Sequence, residues 1–99
     1  MPRDLLNYLW SRLVVRMLTS LVNIEDAGGR LAAGEQPYAF EMSDHITMVG
    51  PACGYGADYL RHLRTEGRYA ESIEEATQIA DSRGATVIGI WFVKTIAAT

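Results

Sequence analysis

The residues of this chain best suited to chemistry lie in or beside a glycine-rich connector, Gly50–Gly56, which contains Cys53. His45 precedes Cys53 and His62 follows it. A nucleophilic cysteine needs an imidazole within hydrogen-bond distance, or a helix N-terminus, to stabilise its thiolate. Cys53, His45 and His62 are therefore the candidates for a catalytic site. A free cysteine is more often a small buried apolar residue, so the balance favours a protein that is not an enzyme.

The glycines of the connector suggest a second kind of site. Backbone N–H groups before a helix can hold a phosphate or carboxylate, which makes Gly54 and Gly56 candidates for anion binding. The sequence Gly-Tyr-Gly lacks the spacing of a dinucleotide-binding fingerprint and the Gly-Lys-Ser/Thr of a P-loop. A plain turn between two elements is the favoured interpretation.

The same cysteine and histidines do not match a metal site. Their spacing, His-x7-Cys-x8-His, corresponds to no short-range chelate pattern, and structural zinc sites have four ligands. We expect no metal and no cofactor.

Arginine and tyrosine are concentrated in the segment after the connector. Arg61 and Arg64 are three residues apart and share one face of a predicted helix, close to Tyr59. Such pairs are typical of protein interfaces and of nucleic-acid surfaces, and the net charge of −3 makes nucleic acid an unfavourable partner. The predicted partner-binding residues are these three together with Arg68, Trp10 and Trp91.

The elements that position these residues are clearest near the C-terminus. Ser72 and Glu75 have the spacing of a capping box, and Gly84 is the residue type that commonly ends a helix. Residues 85–93 then read as a strand that is apolar on both faces. Ile88, Ile90 and Phe92 are predicted on one face and Val87, Gly89, Trp91 and Val93 on the other. Such a strand is central, or its outer face meets a partner.

Four more elements are predicted upstream. Apolar residues at helical spacing indicate an amphipathic helix from Asp4 to about Leu21, although a strand after Arg12 also fits. Asp26–Gly29 reads as a turn. Alternation over Tyr38–Val49 predicts an antiparallel hairpin. A second helix is expected over Ala57–Glu66, ending at Gly67 and burying Tyr59, Leu60 and Leu63.

Together these elements predict one α+β domain over residues 1–99, in the order α-β-β-α-α-β. The sheet would be small and antiparallel, with three or four strands and helices packed mainly on one face. Charge is unevenly distributed: residues 1–24 carry about +2 and residues 25–60 about −5.

The profile is that of a non-enzymatic protein-interaction module, typical of small regulatory or inhibitory proteins, including those that phages and mobile elements encode. We expect it to bind a larger protein, and to form a homodimer with Leu9, Trp10, Leu13 and Met17 at the seam. The single cysteine and the lack of a leader or membrane-spanning pattern favour the cytoplasm. The alternative is a small-molecule or anion-binding domain, possibly enzymatic, built on Gly50–Gly56 with Cys53 and His45 or His62.

Overall fold

A computed structural model describes residues 18–94, which form a four-stranded sheet and three α-helices. In chain order the elements are β1 (Thr19–Asn23), α1 (Ile24–Ala32), β2 (Ala39–Met42), β3 (Met48–Val49), α2 (Ala57–Thr65), α3 (Ile73–Ser82) and β4 (Val87–Val93). A short 3-10 helix, Pro51–Cys53, lies in the glycine-rich connector. The α+β class and the antiparallel sheet are as the sequence predicts.

The sheet has the strand order β1-β4-β2-β3, with every neighbouring pair antiparallel. β4 is therefore central, as its two apolar faces predict, and β2 and β3 form the expected hairpin. In the register, Ile90 pairs with Val22 of β1 and with Phe40 of β2, and Phe40 pairs in turn with Met48. These four side chains share one face of the sheet because directly paired residues point the same way.

A β-bulge in β4 changes which residues reach the core. Glu41 pairs with Gly89 but Met42 pairs with Val87, which leaves Ile88 as an extra residue. Val87 consequently packs against the core, and Ile88 is 46% exposed. The prediction that Ile88 shares the buried face of Ile90 was wrong, because strict alternation fails where a strand gains one residue.

Helices α1 and α3 cover the core face of the sheet. Ala27 of α1 and Ala76 and Ala80 of α3 have no more than 1% exposure, and these small side chains let the helix backbones approach the strands closely. The buried cluster comprises Ala27, Phe40, Met42, Met48, Ala70, Ala76, Ala80, Ala85, Ile90 and Phe92. These residues form the hydrophobic core of the described part of the chain, between this face of the sheet and the helices.

All three described helices end in the same way. Gly34, Gly67 and Gly84 each have a positive φ, between 70° and 93°, and follow the last turn of α1, α2 and α3. In each case the glycine N–H and the next N–H bond back to helix carbonyls, for example Gly67 to Arg64 and Arg68 to Leu63. This is the Schellman motif, so the predicted helix ends at Gly67 and Gly84 are confirmed.

For the first third of the chain the structure decides one open alternative and corrects one prediction. A helix to about Leu21 and a strand after Arg12 both fitted the sequence; Thr19–Asn23 is strand β1, because pairing along β4 outweighs the helical pattern there. The predicted turn at Asp26–Gly29 lies inside α1. Ala27 is 1% exposed within the core, so its burial offsets the low helix propensity of the glycines that follow. Residues 4–17 of the predicted helix lie outside the described residues.

Candidate functional site

Helix α2 positions the largest group of predicted site residues. It begins after Gly56, ends at the Schellman motif of Gly67, and is held to the domain by Leu63, which is 3% exposed. Leu60 is half-buried, whereas most other residues of the helix face solvent. We call the group Tyr55, Tyr59, Arg61, His62 and Arg64 the α2 surface.

Aromatic rings form the centre of the α2 surface. Tyr55 and Tyr59 contact edge to face, with ring centroids 4.9 Å apart, and the His62 ring stacks on Tyr59 at 6.3 Å. Both tyrosines are exposed, at 42% and 49%. Tyr59 was predicted to be buried with Leu60 and Leu63, but its position on α2 points it away from the core. The rings therefore offer a mutually supported aromatic patch to solvent.

The arginines of this region lie beside carboxylates. The Arg64 guanidinium contacts Glu75 at 3.0 Å and lies 5.3 Å from the Tyr69 ring centroid, a cation–π arrangement. Arg61 contacts Asp58 at 3.7 Å, and Arg68 contacts Glu66 at the same distance. The surface consequently carries mixed charge and not a continuous positive field. The sequence predicted Glu75 only as a helix-capping residue; in the structure its carboxylate also contacts Arg64.

A shallow depression of about 330 Å³ adjoins the arginines. Its lining residues are Ala57, Leu60, Arg61, Arg64, Tyr69 and Glu71. Tyr69 is 4% exposed, and its hydroxyl donates to Glu71 Oε1 at 3.4 Å. Burial raises the pKa of the Tyr69 phenol, and the nearby Glu71 carboxylate raises this pKa further. The phenol therefore stays protonated at neutral pH as a hydrogen-bond donor. The sequence puts Tyr69 near the arginines, but it was not among the predicted binding residues; its burial and its bridge to Val49 are long-range features.

The proposed thiol and imidazole groups have separate local roles in the described structure. Cys53 is half-buried in the 3-10 helix, near enough to Tyr38 to make a minor contribution to raising the pKa of that phenol, after burial and Tyr55. His62 Nε2 lies 3.0 Å from a Glu66 carboxylate oxygen. His45 occupies the β2–β3 turn with φ 63°, and its backbone N–H donates to Met42 O. Neither the imidazole contact of His62 nor this backbone bond of His45 involves the thiol.

The connector already uses several of its N–H groups within the fold. Those of Gly50, Ala52 and Cys53 donate to Tyr38 O, Pro37 O and Gly50 O respectively. Three N–H groups of the connector are therefore engaged within the fold. Gly54 and Gly56 are exposed, and the anion site at these two positions stays a prediction.

Trp10 and Trp91 are the two tryptophans predicted to bind a partner. Trp10 lies outside the described residues. Trp91 is half-buried on the sheet face opposite the core, and its indole N–H donates to Glu41 Oε2 at 2.9 Å. Trp91 is therefore not part of the α2 surface.

Comparisons with protein-family models, with curated proteins and with solved structures found no match. Within residues 18–94, no group of three or more histidine, cysteine or acidic side chains is arranged to hold a metal ion. Nor does any helix in that range combine the length and hydropathy needed to cross a membrane.

Proposed function

We propose that this protein is a non-enzymatic interaction module, a small regulatory or inhibitory protein that binds a larger protein through the α2 surface. The observation that supports the proposal is the pair of exposed, mutually packed tyrosines, Tyr55 and Tyr59, beside Arg61 and Arg64. A single cysteine fits action in the reducing cytoplasm.

Tyrosine and arginine supply much of the binding free energy at protein interfaces, since each combines apolar area with directional polar groups. The tyrosines here are already held in one geometry by their edge-to-face contact, so binding would cost little side-chain entropy. The depression that Leu60, Arg61 and Arg64 help to line has room for one apolar or aromatic side chain.

The charges favour a protein partner over a nucleic acid. Arg64 and Arg68 each lie beside a glutamate, so a polyanion would meet carboxylates together with the cations. Of Arg61, Arg64 and Arg68, Arg61 has the most exposed side chain, at 78%, and its contact with Asp58 is a solvated surface pair. We therefore expect the partner to present an apolar side chain next to a carboxylate.

The test is capture from the source cells with the full chain as bait, followed by mass spectrometry. Wild-type protein is compared with the double variant Tyr59→Ala/Arg61→Ala, which leaves Leu63 and the Schellman motif intact. We expect a defined protein in the wild-type sample, reduced at least tenfold by the double variant. Calorimetry with the purified partner should show the same loss in affinity.

The matched control is Ile46→Ala, an exposed apolar residue in the β2–β3 turn. It should retain the partner at the wild-type level. Equal capture by wild type and the double variant would refute the α2 surface as the binding site, and a wild-type sample no richer than empty beads would refute the module itself.

A further inference from the structure

The depression at α2 contains a buried polar residue that the proposed interaction surface does not use. Tyr69 is 4% exposed and lines this depression together with Glu71, to which its hydroxyl donates at 3.4 Å. The Arg64 guanidinium lies over the Tyr69 ring and also contacts Glu75, so it is held from two sides. The depression is therefore built partly from polar groups that the fold already positions.

The lining residues offer three kinds of contact within one small volume. Arg61 supplies a cation whose own ion pair, at 3.7 Å, is long and solvated. Glu71 supplies an acceptor: a carboxylate has about four lone-pair sites, so the bond from Tyr69 leaves capacity for another donor. Leu60 and Ala57 supply apolar surface. A ligand that satisfies all three needs an anionic group, an N–H donor and an apolar group close together.

We propose that this depression binds the carboxyl-terminal residue of the partner protein, and that the side chain of this residue is apolar. The inference rests on the proposed function and specifies which part of the partner is recognised. A chain end carries all three groups on one Cα atom: a carboxylate for Arg61, an amide N–H for Glu71 and a side chain for Leu60. The planar guanidinium of Arg61 can pair with both carboxylate oxygens.

The size of the depression favours a chain end over an internal segment. Its volume of about 330 Å³ lies at the lower end of the range for ligand pockets, about 300 to 1,000 Å³, and suits one residue. An internal acidic side chain beside an apolar one would bring two residues and a backbone that both enters and leaves. A chain end brings one residue and one backbone connection.

The charges favour one carboxylate over a phosphate. Arg64 already contacts Glu75 at 3.0 Å, and Glu71 adds a negative charge to the lining. Arg61, with the longer carboxylate contact, then balances a ligand that carries a single negative charge. A phosphate group would bring about two negative charges at pH 7 and would be repelled by Glu71.

A titration of the full isotope-labelled chain, followed by its amide resonances, tests this inference with N-acetyl-Gly-Leu as the probe. A ligand of this size should bind with a dissociation constant of about 1 mM. The resonances of Arg61, Arg64 and Tyr69 should shift, and those of α1 should not. Two matched probes each lack one group: N-acetyl-Gly-Leu amide lacks the carboxylate, and N-acetyl-Gly-Gly lacks the apolar side chain. Both should bind at least fivefold more weakly.

A pair of protein variants tests the same contact from the other side. Arg61→Gln should weaken the binding of N-acetyl-Gly-Leu at least fivefold, because a neutral amide replaces the guanidinium. Lys94→Gln is the matched control: it also removes one positive charge from an exposed position, at the end of β4 and outside the lining. It should keep the wild-type affinity.

Equal affinities of the wild type for the acid and the amide would overturn the inference. So would the absence of shifts up to about ten times the expected dissociation constant. Free leucine that binds as tightly as N-acetyl-Gly-Leu would assign the depression to an amino acid, and would overturn it too. In each case a partner captured by the wild type and lost from Tyr59→Ala/Arg61→Ala would still support the α2 surface. Acid-selective binding with no captured protein would contradict the proposed function instead.

Discussion

Ile90 and Trp91 are neighbours in β4, yet they lie in two different regions of the molecule. Ile90 is fully buried between Val22, Phe40 and the helices that cover the core face. Trp91 points the other way, is half-buried, and bonds to Glu41. One strand therefore separates a closed apolar layer from an open one.

The two faces of the sheet differ in whether helices pack on them, and not in their amino-acid composition. Both faces of β4 are apolar in sequence, but only the core face meets α1 and α3 in the described structure. Apolar residues on both faces of a strand indicate that both faces are buried. They do not show which element buries each side.

The largest expected effect is on the core face. Ile90→Asp places an unpaired carboxylate in a fully buried apolar site, at a cost of about 5 kcal/mol, so we expect an unfolded protein by circular dichroism. The matched control is Ile88→Asp in the same strand, because Ile88 is exposed at the bulge. It should stay folded and lose about 1 kcal/mol. Similar losses for both variants would contradict the register.

On the outer face, Trp91→Asp should destabilise the protein by about 2 kcal/mol, since Trp91 is only half-buried and the new carboxylate would lie near Glu41. Trp91→Phe is the control: it keeps most of the ring area but loses the bond to Glu41, at a cost of about 1 kcal/mol. Urea denaturation measures both. A loss for Trp91→Asp as large as that for Ile90→Asp would mean that the outer face is as closed as the core face.

Weakening the N-terminal cap of α3, which packs on the core face, should have a smaller effect on the free energy of unfolding. Ser72 accepts a hydrogen bond from the Glu75 N–H at the start of α3, so Ser72→Ala should cost about 1 kcal/mol in urea denaturation. Ser82, at the exposed end of the same helix, provides the comparison. Ser82→Ala should change stability by less than about 0.5 kcal/mol. Equal midpoints for both variants would show that the cap is unimportant.

The smallest effect should be a gain, from the other covering helix. Gly28 and Gly29 lie inside α1 with open space where a Cβ would stand, so Gly28→Ala should stabilise the protein by about 0.5–1 kcal/mol. At Gly34 the backbone has φ 93°, and Gly34→Ala should destabilise it despite equally open space. Thermal denaturation distinguishes the two signs. A loss at Gly28 would mean that α1 does not extend through it.

The helical and hairpin elements could largely be predicted from local sequence. The Ser72 cap, the ends at Gly67 and Gly84 and the β2–β3 hairpin depend on contacts a few residues apart. Part of the candidate site could also be predicted from local sequence, because Arg61 and Arg64 are three residues apart and so share one face of α2. Tyr69, Glu71 and Glu75 join that site through contacts between elements, which spacing along the chain does not show.

By itself, the sequence determined the α+β class, the central position of β4 and the ends of α2 and α3, since capping, glycine conformations and apolar periodicity act within one or two turns. Only the tertiary structure decided that Thr19–Asn23 pairs as a strand and that Asp26–Gly29 is helical. It also decided that Ile88 leaves the core at a bulge. In each case the free energy of burial and strand pairing between distant residues exceeds a local preference of about 1 kcal/mol or less per residue.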